Sequence, residues 1–435
     1  MINFKELNKA ALEYGFSEIE LTTLYQKGCV IKAVSGEISE AETYEKENYT
    51  LKGRIIINGE AHMGMVTFSG DMDNNELFAL VKENACVLKS TQESFLKPGL
   101  TYRPMKEMPE ILGSHEEKEA ALKAVIEACL KEPMISGVPS AEYQEEYAEK
   151  RLENSFGLSL KEESQSCLLF AEIIAQSSDD IQTGYDYHLV LNDVSLLNPI
   201  ELAKKVSHDV SAKLNSGMLP SGQYHTVIQR EALDALFMAF KGFFSGENAL
   251  RSLTPLKDQE NKALFNEQIT IVDDAYASIY DPKVFDDEGM PTQKTVLVDH
   301  GIFKGFLDNK RTAEERKTVS TGNGYNGGVD TGYLRILPGD TSFDDLIKTC
   351  GYGVLITELN GLHAGANPLT GDYNCQANGF YIQDGLIGQP LHLMVISGNI
   401  MNLLKDVWLL GSDLKQEKDG HTPSILLKNQ TISGK

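Results

Sequence analysis

The sequence predicts an α+β protein, with an N-terminal region of helices and antiparallel sheet followed by a β-rich C-terminal domain. Strand-like segments over 19–25 and 49–57 lie between helical patterns near 1–15 and 75–90. After residue 262 the chain becomes a series of short strands separated by Gly, Asp and Asn turns. Such dense turns are typical of a barrel or closed antiparallel sheet. One long helix, over residues 230–244, precedes them.

Turn residues and composition divide the chain into three segments. Residues 1–95 form an N-terminal α+β segment, in which Asn58-Gly59 predicts a tight hairpin. Residues 113–218 form a central α+β segment packed with it, with helices at 115–132 and 198–215 around an antiparallel meander over 139–190. Residues 222–435 form the β-rich domain. The intervening residues 96–112 contain three of the 14 prolines and little periodicity, which indicates a linker.

Net charge restricts the classes of partner. The formal charge is −23, which repels nucleic-acid phosphates and anionic lipid, so we expect neither nucleic-acid nor membrane binding. No apolar run approaches the roughly 20 residues that span a bilayer. Six cysteines are scattered singly, which is typical of a reducing compartment, and the cytoplasm is the expected location. The charge suits a ligand or partner that is less acidic than the chain.

A glycine-rich segment matches the dinucleotide-binding pattern G-x-G-x-x-G through Gly322, Gly324 and Gly327. That pattern needs a buried strand before it and a helix after it. Here the preceding segment is charged and the following one is a poor helix start. We therefore favour a flexible or ligand-facing loop.

An acidic run, Asp286-Asp287-Glu288, lies downstream of Asp273-Asp274. Carboxylates in a row are potential ligands for a hard cation such as calcium. Their spacing is not that of an EF-hand, however. We favour a solvated acidic turn, in which hydrogen bonds to backbone N–H groups serve a structural role.

Histidine spacing gives no zinc-hydrolase motif. That motif places two histidines about one helical turn apart with a glutamate nearby. No two of the nine histidines here are close enough to share a helix face. A metal site built from His363, Cys375 or His421 would form only if the fold brought them together, and we favour loop or core roles for these residues.

A series of motifs nevertheless occurs in a distinctive order through the C-terminal half. They are DDEGMPT (286–292), VDHGIFKG (298–305), STGNG (320–324), GLHAG (361–365), TGDY (370–373), GFYIQDG (379–385) and GSDL (411–414). In this order they resemble the TldD/PmbA family, whose members are described as modulators of DNA gyrase. The likeness is greatest to its PmbA (TldE) branch and extends over nearly the whole chain.

The resemblance implies a peptidase system that processes short or unfolded peptides. In that system a TldD-type subunit holds zinc through H-E-x-x-x-H on a helix and a Cys in a late loop, and it pairs with a TldE-type subunit. With Gly246 aligned to the glycine after that helix, the ligand positions fall on Phe237, Met238 and Gly242. None of the family's ligands carries over, so we expect no cofactor in this chain and zinc in a TldD-like partner.

The function predicted from the resemblance is a TldE-like subunit that forms a heterodimer with a zinc subunit, or a homodimer. The alternatives are a peptide- or protein-binding homo-oligomer without a peptidase role and a metallopeptidase with an unusual metal site. Residues predicted to face a substrate chamber or to belong to the shared motifs are Asp286, Asp287, Glu288, Gly322, Gly324, His363, Gly371, Asp372 and Cys375.

Overall fold

The computed structural model describes residues 2–87, 93–418 and 420–435. It is 25% helix and 42% strand, which confirms the α+β class. Its N-terminal part is a six-stranded antiparallel sheet in the order β3-β2-β1-β4-β5-β6. The strands are β1 (Phe16–Val34), β2 (Glu37–Ile57), β3 (Glu60–Ser69), β4 (Ile135–Asn154), β5 (Ser159–Gln176) and β6 (Ile181–Val190). The helices are α1 (Phe4–Tyr14), α2 (Asn74–Val87), α3 (His115–Lys131) and α4 (Pro199–Ser211), with a 3-10 turn at Val194–Leu196.

Local sequence predicts much of this sheet. The β2–β3 hairpin turns at Asn58 and Gly59, which have φ of +52° and +86° as a type I′ turn requires. The predicted meander over 139–190 is also confirmed, as β4, β5 and β6. The strands are longer than predicted. The segment predicted at 19–25 is part of β1, which continues to Val34, and the segment predicted at 49–57 is the end of β2, which begins in the polar residues after Gly36. Of the helix predicted at 75–90, residues 88–90 lie outside the described residues.

Strand alternation gives the sheet two different faces. Ile19 and Leu21 pack with α1 and α2, whereas Ile31 and Ala33, further along β1, pack with α3 and α4. The intervening side chains of Thr22 and Leu24 point to the opposite face, toward the C-terminal region. Two apolar residues of α3 and α4 are half exposed, Leu130 at 50% and Ile200 at 50%.

Residues 94–112, hereafter the strap, run across the junction between the sheet and the C-terminal region. They have almost no regular secondary structure, as predicted for a linker, but they are anchored along their length. Tyr102 donates to the carbonyl of Gly289 at 2.8 Å, and Arg103 pairs with Asp274 at 2.6 Å. Lys106 donates to the Tyr276 carbonyl at 2.8 Å. The strap therefore joins the two parts of the molecule.

The described residues of the C-terminal region form twelve further strands and six α-helices. The strands are β7 (Gly222–Ile228), β8 (Ile271–Asp273), β9 (Thr295–Asp299), β10 (Ile302–Phe303), β11 (Gly324–Tyr325), β12 (Gly328–Val329), β13 (Leu334–Ile336), β14 (Gly353–Asn360), β15 (Asp372–Gln383), β16 (Leu386–Asn399), β17 (Val407–Leu410) and β18 (Ile425–Ser433). The helices are α5 (Arg230–Ala239), α6 (Gly246–Leu250), α7 (Lys310–Arg316), α8 (Phe343–Cys350), α9 (Leu362–Gly365) and α10 (Ile400–Lys405). Short 3-10 turns occur at Lys241–Phe244, Ala275–Ala277 and Gln416–Lys418.

Five of these strands close into the predicted barrel. Their order is β16-β15-β14-β7-β18, and β18 returns to β16 through the pairs Val395↔Ser433 and Ile396↔Ile432. A separate sheet, β10-β9-β8-β13, and the small β11–β12 hairpin lie outside the barrel. One apolar core includes barrel residues such as Ile356 and Ile396 together with Phe237 of α5. No described helix is long and apolar enough to cross a membrane.

The single long helix predicted over 230–244 is wrong. The α-helix ends at Ala239, Phe240 leaves helical geometry at φ −111° and ψ 11°, and a 3-10 turn follows over Lys241–Phe244. The cause is aromatic burial, since a 3-10 turn superimposes residues three apart. Phe240 and Phe243 accordingly lie on the same side with ring centroids 5.5 Å apart, both in the core.

Candidate functional site

A cleft of about 990 Å³ separates the sheet from the C-terminal loops. One wall is the face of strands β1 to β5, and the other is formed by the segments around 281–288 and 324–331. The lining residues are Thr22, Leu24, Asn48, Thr50, Lys52, Met65, Thr67, Ala148, Lys150, Glu162, Glu163, Ser164, Asp281, Lys283, Asp287, Glu288, Gly324, Tyr325, Asn326, Gly327, Gly328, Asp330 and Thr331. Its volume and mixed polarity suit a ligand several residues long.

The acidic turn, residues 285–291, forms part of the second wall, and within this turn the carboxylate of Asp286 points into the protein. This carboxylate is 0% exposed, so the predicted solvated turn is wrong at this position. Its Oδ1 accepts the N–H groups of Glu288 and Met290 at 2.9 Å each, and Oδ2 accepts that of Gly324 at 2.8 Å. The predicted bonds to backbone N–H groups are thus present. Burial raises the pKa of Asp286 to about 7, and the nearby charge of Glu288 adds to the increase.

Asp287 connects the acidic turn to the sheet. Its Oδ1 lies 2.6 Å from Nζ of Lys150 on β4, and its Oδ2 accepts the N–H of Asn326 at 2.9 Å. Lys150 also lies 3.6 Å from Glu162 of β5. Burial alone would raise the pKa of Asp287, but the Lys150 ammonium outweighs it and the pKa lies below its usual value. The ion pair between Lys150 and Asp287 therefore links the two walls of the cleft.

Glu288 and the glycine-rich hairpin complete this wall. Glu288 Oε2 accepts the N–H of Lys310, at the first turn of α7, at 2.9 Å. A Cβ on Gly324 would lie 2.8 Å from Cδ of Glu288, so only glycine fits there. Gly322 has φ of +74°, and a side chain there would meet the carbonyl of Pro291. The G-x-G-x-x-G segment is therefore a tight hairpin against the acidic turn, with its tip on the cleft.

The upstream pair, Asp273-Asp274, has a separate structural role. Asp273 accepts the N–H groups of Gly332 and Tyr333 at 3.0 Å and the side-chain amide of Asn323 at 2.7 Å. Burial raises its pKa to about 6. Asp274 pairs with Arg103 of the strap. Both carboxylates are thus engaged by the protein itself.

The remaining predicted site residues lie at the barrel, apart from the cleft. His363 is exposed on α9, and Cys375 of β15 is buried in the barrel core. Asp372 accepts from Asn399 at 2.9 Å and from Thr370 at 2.7 Å. Gly371 has φ of +87° and lies against Phe243. A shallow pocket of about 520 Å³ lies beside them, lined by Asn360, Gly361, Ala364, Gly365, Asn374 and Gln376.

The three positions aligned with the zinc ligands hold no side chain suited to zinc. Zinc in proteins takes imidazole, thiolate or carboxylate ligands. Phe237 is 2% exposed in the core, Met238 is half-buried, and Gly242 lies in the 3-10 turn after α5. Nowhere in the described ranges do three His, Cys, Asp or Glu side chains group as a metal site. These residues do not fit the metal of the resembled subunit.

His421 lies near this helix. Its backbone N–H donates to Asp234 of α5 at 3.1 Å, and its Nδ1 lies 2.7 Å from the carbonyl of Leu334. The ring packs edge-on against Tyr333. His421 thus connects the loop before β18 to α5 and β13.

Sequence reasoning missed four charged residues of the cleft, because they belong to no motif: Lys52, Lys150 and Glu162 on strands, and Lys283 in a loop. Tyr325 was part of the glycine-rich motif but was not selected. The available signal was polar residues at alternate positions of β2, β4 and β5, but this pattern also fits an ordinary solvated face. Only pairing across the sheet shows that the positions converge.

Comparison with known proteins establishes the family. Models of the PmbA/TldA metallopeptidase central domain and C-terminal domain match residues 114–214 and 221–434. A metalloprotease PmbA homolog from Buchnera aphidicola (subsp. Baizongia pistaciae) is 30% identical over 60% of this chain, which spans 58% of that relative. An uncharacterised protein of Methanocaldococcus jannaschii is 30% identical, with 89% of this chain and 90% of that protein covered.

Two solved structures share the fold. A protein described as a modulator of a DNA gyrase, from Thermotoga maritima, has a TM-score of 0.90 at 28% identity, with 99% of this chain and 100% of that one covered. TldE from Thermococcus kodakarensis has a TM-score of 0.85 at 24% identity, with the same coverage, and shows likeness of fold alone. These matches confirm the resemblance drawn from the ordered motifs. The chain belongs to the PmbA/TldD metallopeptidase family.

Proposed function

We propose that this chain is the TldE-like subunit of a TldD/TldE-type metallopeptidase. In this role it binds short or unfolded peptides and leaves hydrolysis to a zinc-bearing partner in a heterodimer. We propose the cytoplasm as its location, because all six cysteines are free thiols, five of them buried. The proposal rests on one observation above the others, which is the chemistry of α5.

The side chains of α5 support a role without metal. Phe237 contributes to the same core as Leu233 and Leu236, so a polar ligand at this position would require burying a desolvated group. The break at Phe240 places Gly242 in a 3-10 turn, beyond the end of the α-helix. Two positions of the H-E-x-x-x-H pattern are thus committed to packing and backbone geometry.

The cleft supports peptide binding. Its sheet wall presents hydroxyl and amide groups at Thr22, Asn48 and Thr50, which suit peptide N–H and C=O groups. The hydroxyl oxygens Oγ1 of Thr50 on β2 and Thr67 on β3 lie 3.0 Å apart, within hydrogen-bond distance. This wall is the face of a sheet whose backbone groups are paired within it, so side chains rather than strand addition would hold the ligand.

The test combines metal analysis with reconstitution. The purified chain alone is expected to contain well under one zinc per chain and to show no peptidase activity. Addition of a TldD-like chain from the same cells is expected to give a co-purifying complex that cleaves an unfolded peptide. His363→Ala and Cys375→Ala serve as matched variants and should leave the zinc content of the isolated chain unchanged.

Two results would contradict the proposal. One is stoichiometric zinc in the isolated chain together with a peptidase activity that either variant abolishes, since that result supports an unusual metal site. The other is a TldD-like chain that neither associates nor produces peptidase activity on addition. The second result would favour a homo-oligomeric binding protein.

A further inference from the structure

We propose that the cleft binds the positively charged group of a peptide, either its terminal ammonium or a lysine or arginine side chain, against Glu288. This inference rests on the peptide-binding role proposed above and specifies the chemistry of the ligand. It follows from the ion pairs around the cleft, from the partners of Glu288 and from a buried hydroxyl group in the cleft wall.

The charged groups of the cleft are unequal in number. Six carboxylates and three lysines contribute to its lining. Five of the carboxylates have a lysine within reach. The pairs are Glu162–Lys150 at 3.6 Å, Asp287–Lys150 at 2.6 Å, Glu163–Lys161 at 2.9 Å, Asp281–Lys283 at 3.2 Å and Asp330–Lys241 at 2.7 Å. Among residues 2–87, 93–418 and 420–435, Glu288 forms no ion pair.

Glu288 is positioned to accept a ligand's cation. It is half-buried, and its backbone is fixed because its own N–H donates to Asp286. Only Oε2 has a hydrogen-bond donor within the described chain, the N–H of Lys310. The charges of two lysines, Lys310 and Lys52, act on Glu288, but both ammonium groups have other partners. Lys310 Nζ donates to the carbonyl of Ser94 at 2.9 Å, and Lys52 donates to Glu20 at 3.1 Å and to the carbonyl of Asp287 at 3.2 Å. A half-buried carboxylate without an ion pair is stabilised most strongly by a cation that the ligand supplies.

A second group in the wall also lacks a partner. Tyr325 is 6% exposed and contributes to the cleft lining, and within the described ranges its hydroxyl has no hydrogen-bond partner. A buried hydroxyl without a partner is costly, and a peptide carbonyl or amide would satisfy it. Among its described residues the wall therefore contains one carboxylate without an ion pair and one buried hydroxyl without a partner, and an ammonium group with its neighbouring peptide group would supply both partners.

The net charge of the chain also favours a cationic ligand. The chain carries −23, so its field attracts cationic peptides and repels acidic ones. This attraction is general, whereas the contact with Glu288 is specific to one place in the cleft. A variant that removes one negative charge elsewhere separates the two effects, and exposed Glu314 on α7 provides it.

The test is calorimetric binding of three amidated pentapeptides to the chain alone. The first is pentaalanine with a free amine, the second is acetylated with a central lysine, and the third is acetylated with a central norleucine. With the wild type and Glu314→Gln we expect at least one charged peptide to bind on the order of tenfold tighter than the norleucine peptide. With Glu288→Gln the difference should vanish. Comparison of the first two peptides identifies the source of the cation.

Glutamine at 288 keeps an acceptor for the Lys310 N–H, so the turn should remain folded, which thermal melting checks. Glu288→Asp, which keeps the charge but shortens the side chain, should retain part of the preference. Equal binding of all three peptides, a preference that survives in Glu288→Gln, or no binding would overturn the inference. Because neither a partner nor a peptidase assay is involved, failure here is distinct from failure of the proposed subunit role.

Discussion

The α5 segment and the acidic turn respond to burial in opposite ways. In α5 and the turn after it, the positions that the resemblance aligns with zinc ligands hold Phe237, Met238 and Gly242, and aromatic side chains pack the segment. In the acidic turn, Asp286 is equally buried but keeps its charge-bearing group and receives three backbone N–H bonds. One region is apolar, whereas the other is a polar framework at the wall of a cleft.

This difference concerns two functions that an enzyme usually combines, which are binding a ligand and activating water. A site needs polar groups to bind a ligand, and a hydrolase needs in addition a group that activates water. The acidic turn and the hairpin that contacts it supply the first requirement. The α5 segment supplies packing. This contrast is what a binding subunit with a catalytic partner would show, and each side of it can be tested separately.

The largest effect is expected for Phe237→Ala. Loss of a fully buried phenylalanine should cost about 3–5 kcal/mol of the free energy of unfolding, because a cavity opens between α5 and the barrel. Denaturant unfolding followed by the fluorescence of the single tryptophan, Trp408, measures it. Met238→Ala, at a half-buried position, is the control and should cost less than half as much. Equal costs would show that α5 is not packed as described.

A smaller effect is expected for Lys150→Met, which leaves Asp287 and Glu162 without their shared cation. The Lys150 side chain is 18% exposed, so the cost lies between those of a surface and a buried pair, at about 2 kcal/mol. The same unfolding measurement applies. The double variant Lys150→Met/Asp287→Asn should lose less free energy of unfolding than the sum of the losses in the two single variants. Full additivity would show that the pair does not connect the two walls.

The smallest effect, about 1 kcal/mol, is expected for Asp286→Asn, because the amide leaves the Gly324 N–H without an acceptor. The effect should depend on pH. Burial raises the pKa of Asp286 to about 7, whereas an unfolded aspartate has a pKa near 3.9. From about pH 4 to 7 the folded wild type holds a proton that the unfolded chain lacks, so its stability falls as pH rises. The deficit of the variant is therefore largest below about pH 4, and between pH 5 and 7 it narrows as the pH rises.

Asp287→Asn is the matched control for this pH dependence. The folded pKa of Asp287 is lowered, so its contribution is present above the unfolded pKa and is lost as pH falls. Thermal melting of both variants across this range distinguishes the two carboxylates. A deficit of Asp286→Asn that grows between pH 5 and 8 would contradict the assigned direction.

Sequence reasoning succeeded where local chemistry determines the backbone. Asn58-Gly59 specifies a hairpin without help from the rest of the chain, and dense turns indicate the barrel class. It failed where tertiary contacts decide. The charged start of β2 is a strand because it pairs with β1, and the helix over 230–244 breaks because three phenylalanines enter the core. The strap resembled a linker because its contacts are all distant in sequence.

The candidate cleft was only partly predictable for the same reason. Asp287, Glu288 and Gly324 were selected because they belong to short motifs, and they do line the cleft. His363, Gly371, Asp372 and Cys375 were selected on the same basis but lie at the barrel. Lys150 and Glu162 face each other as neighbours on β4 and β5, a relation that depends on strand register. Single-chain periodicity does not give that register.

The two-faced sheet has a consequence for how the chain can vary in length. In β1, Ile19, Leu21, Ile31 and Ala33 pack with the helices, whereas Thr22 and Leu24 face the cleft from alternate positions. Insertion or deletion of one residue within the strand would exchange these two sets from that point to the strand's end, placing Thr22 or Leu24 against the helices. Tolerated length changes are therefore confined to the hairpin tips, such as Ser35-Gly36 and Asn58-Gly59.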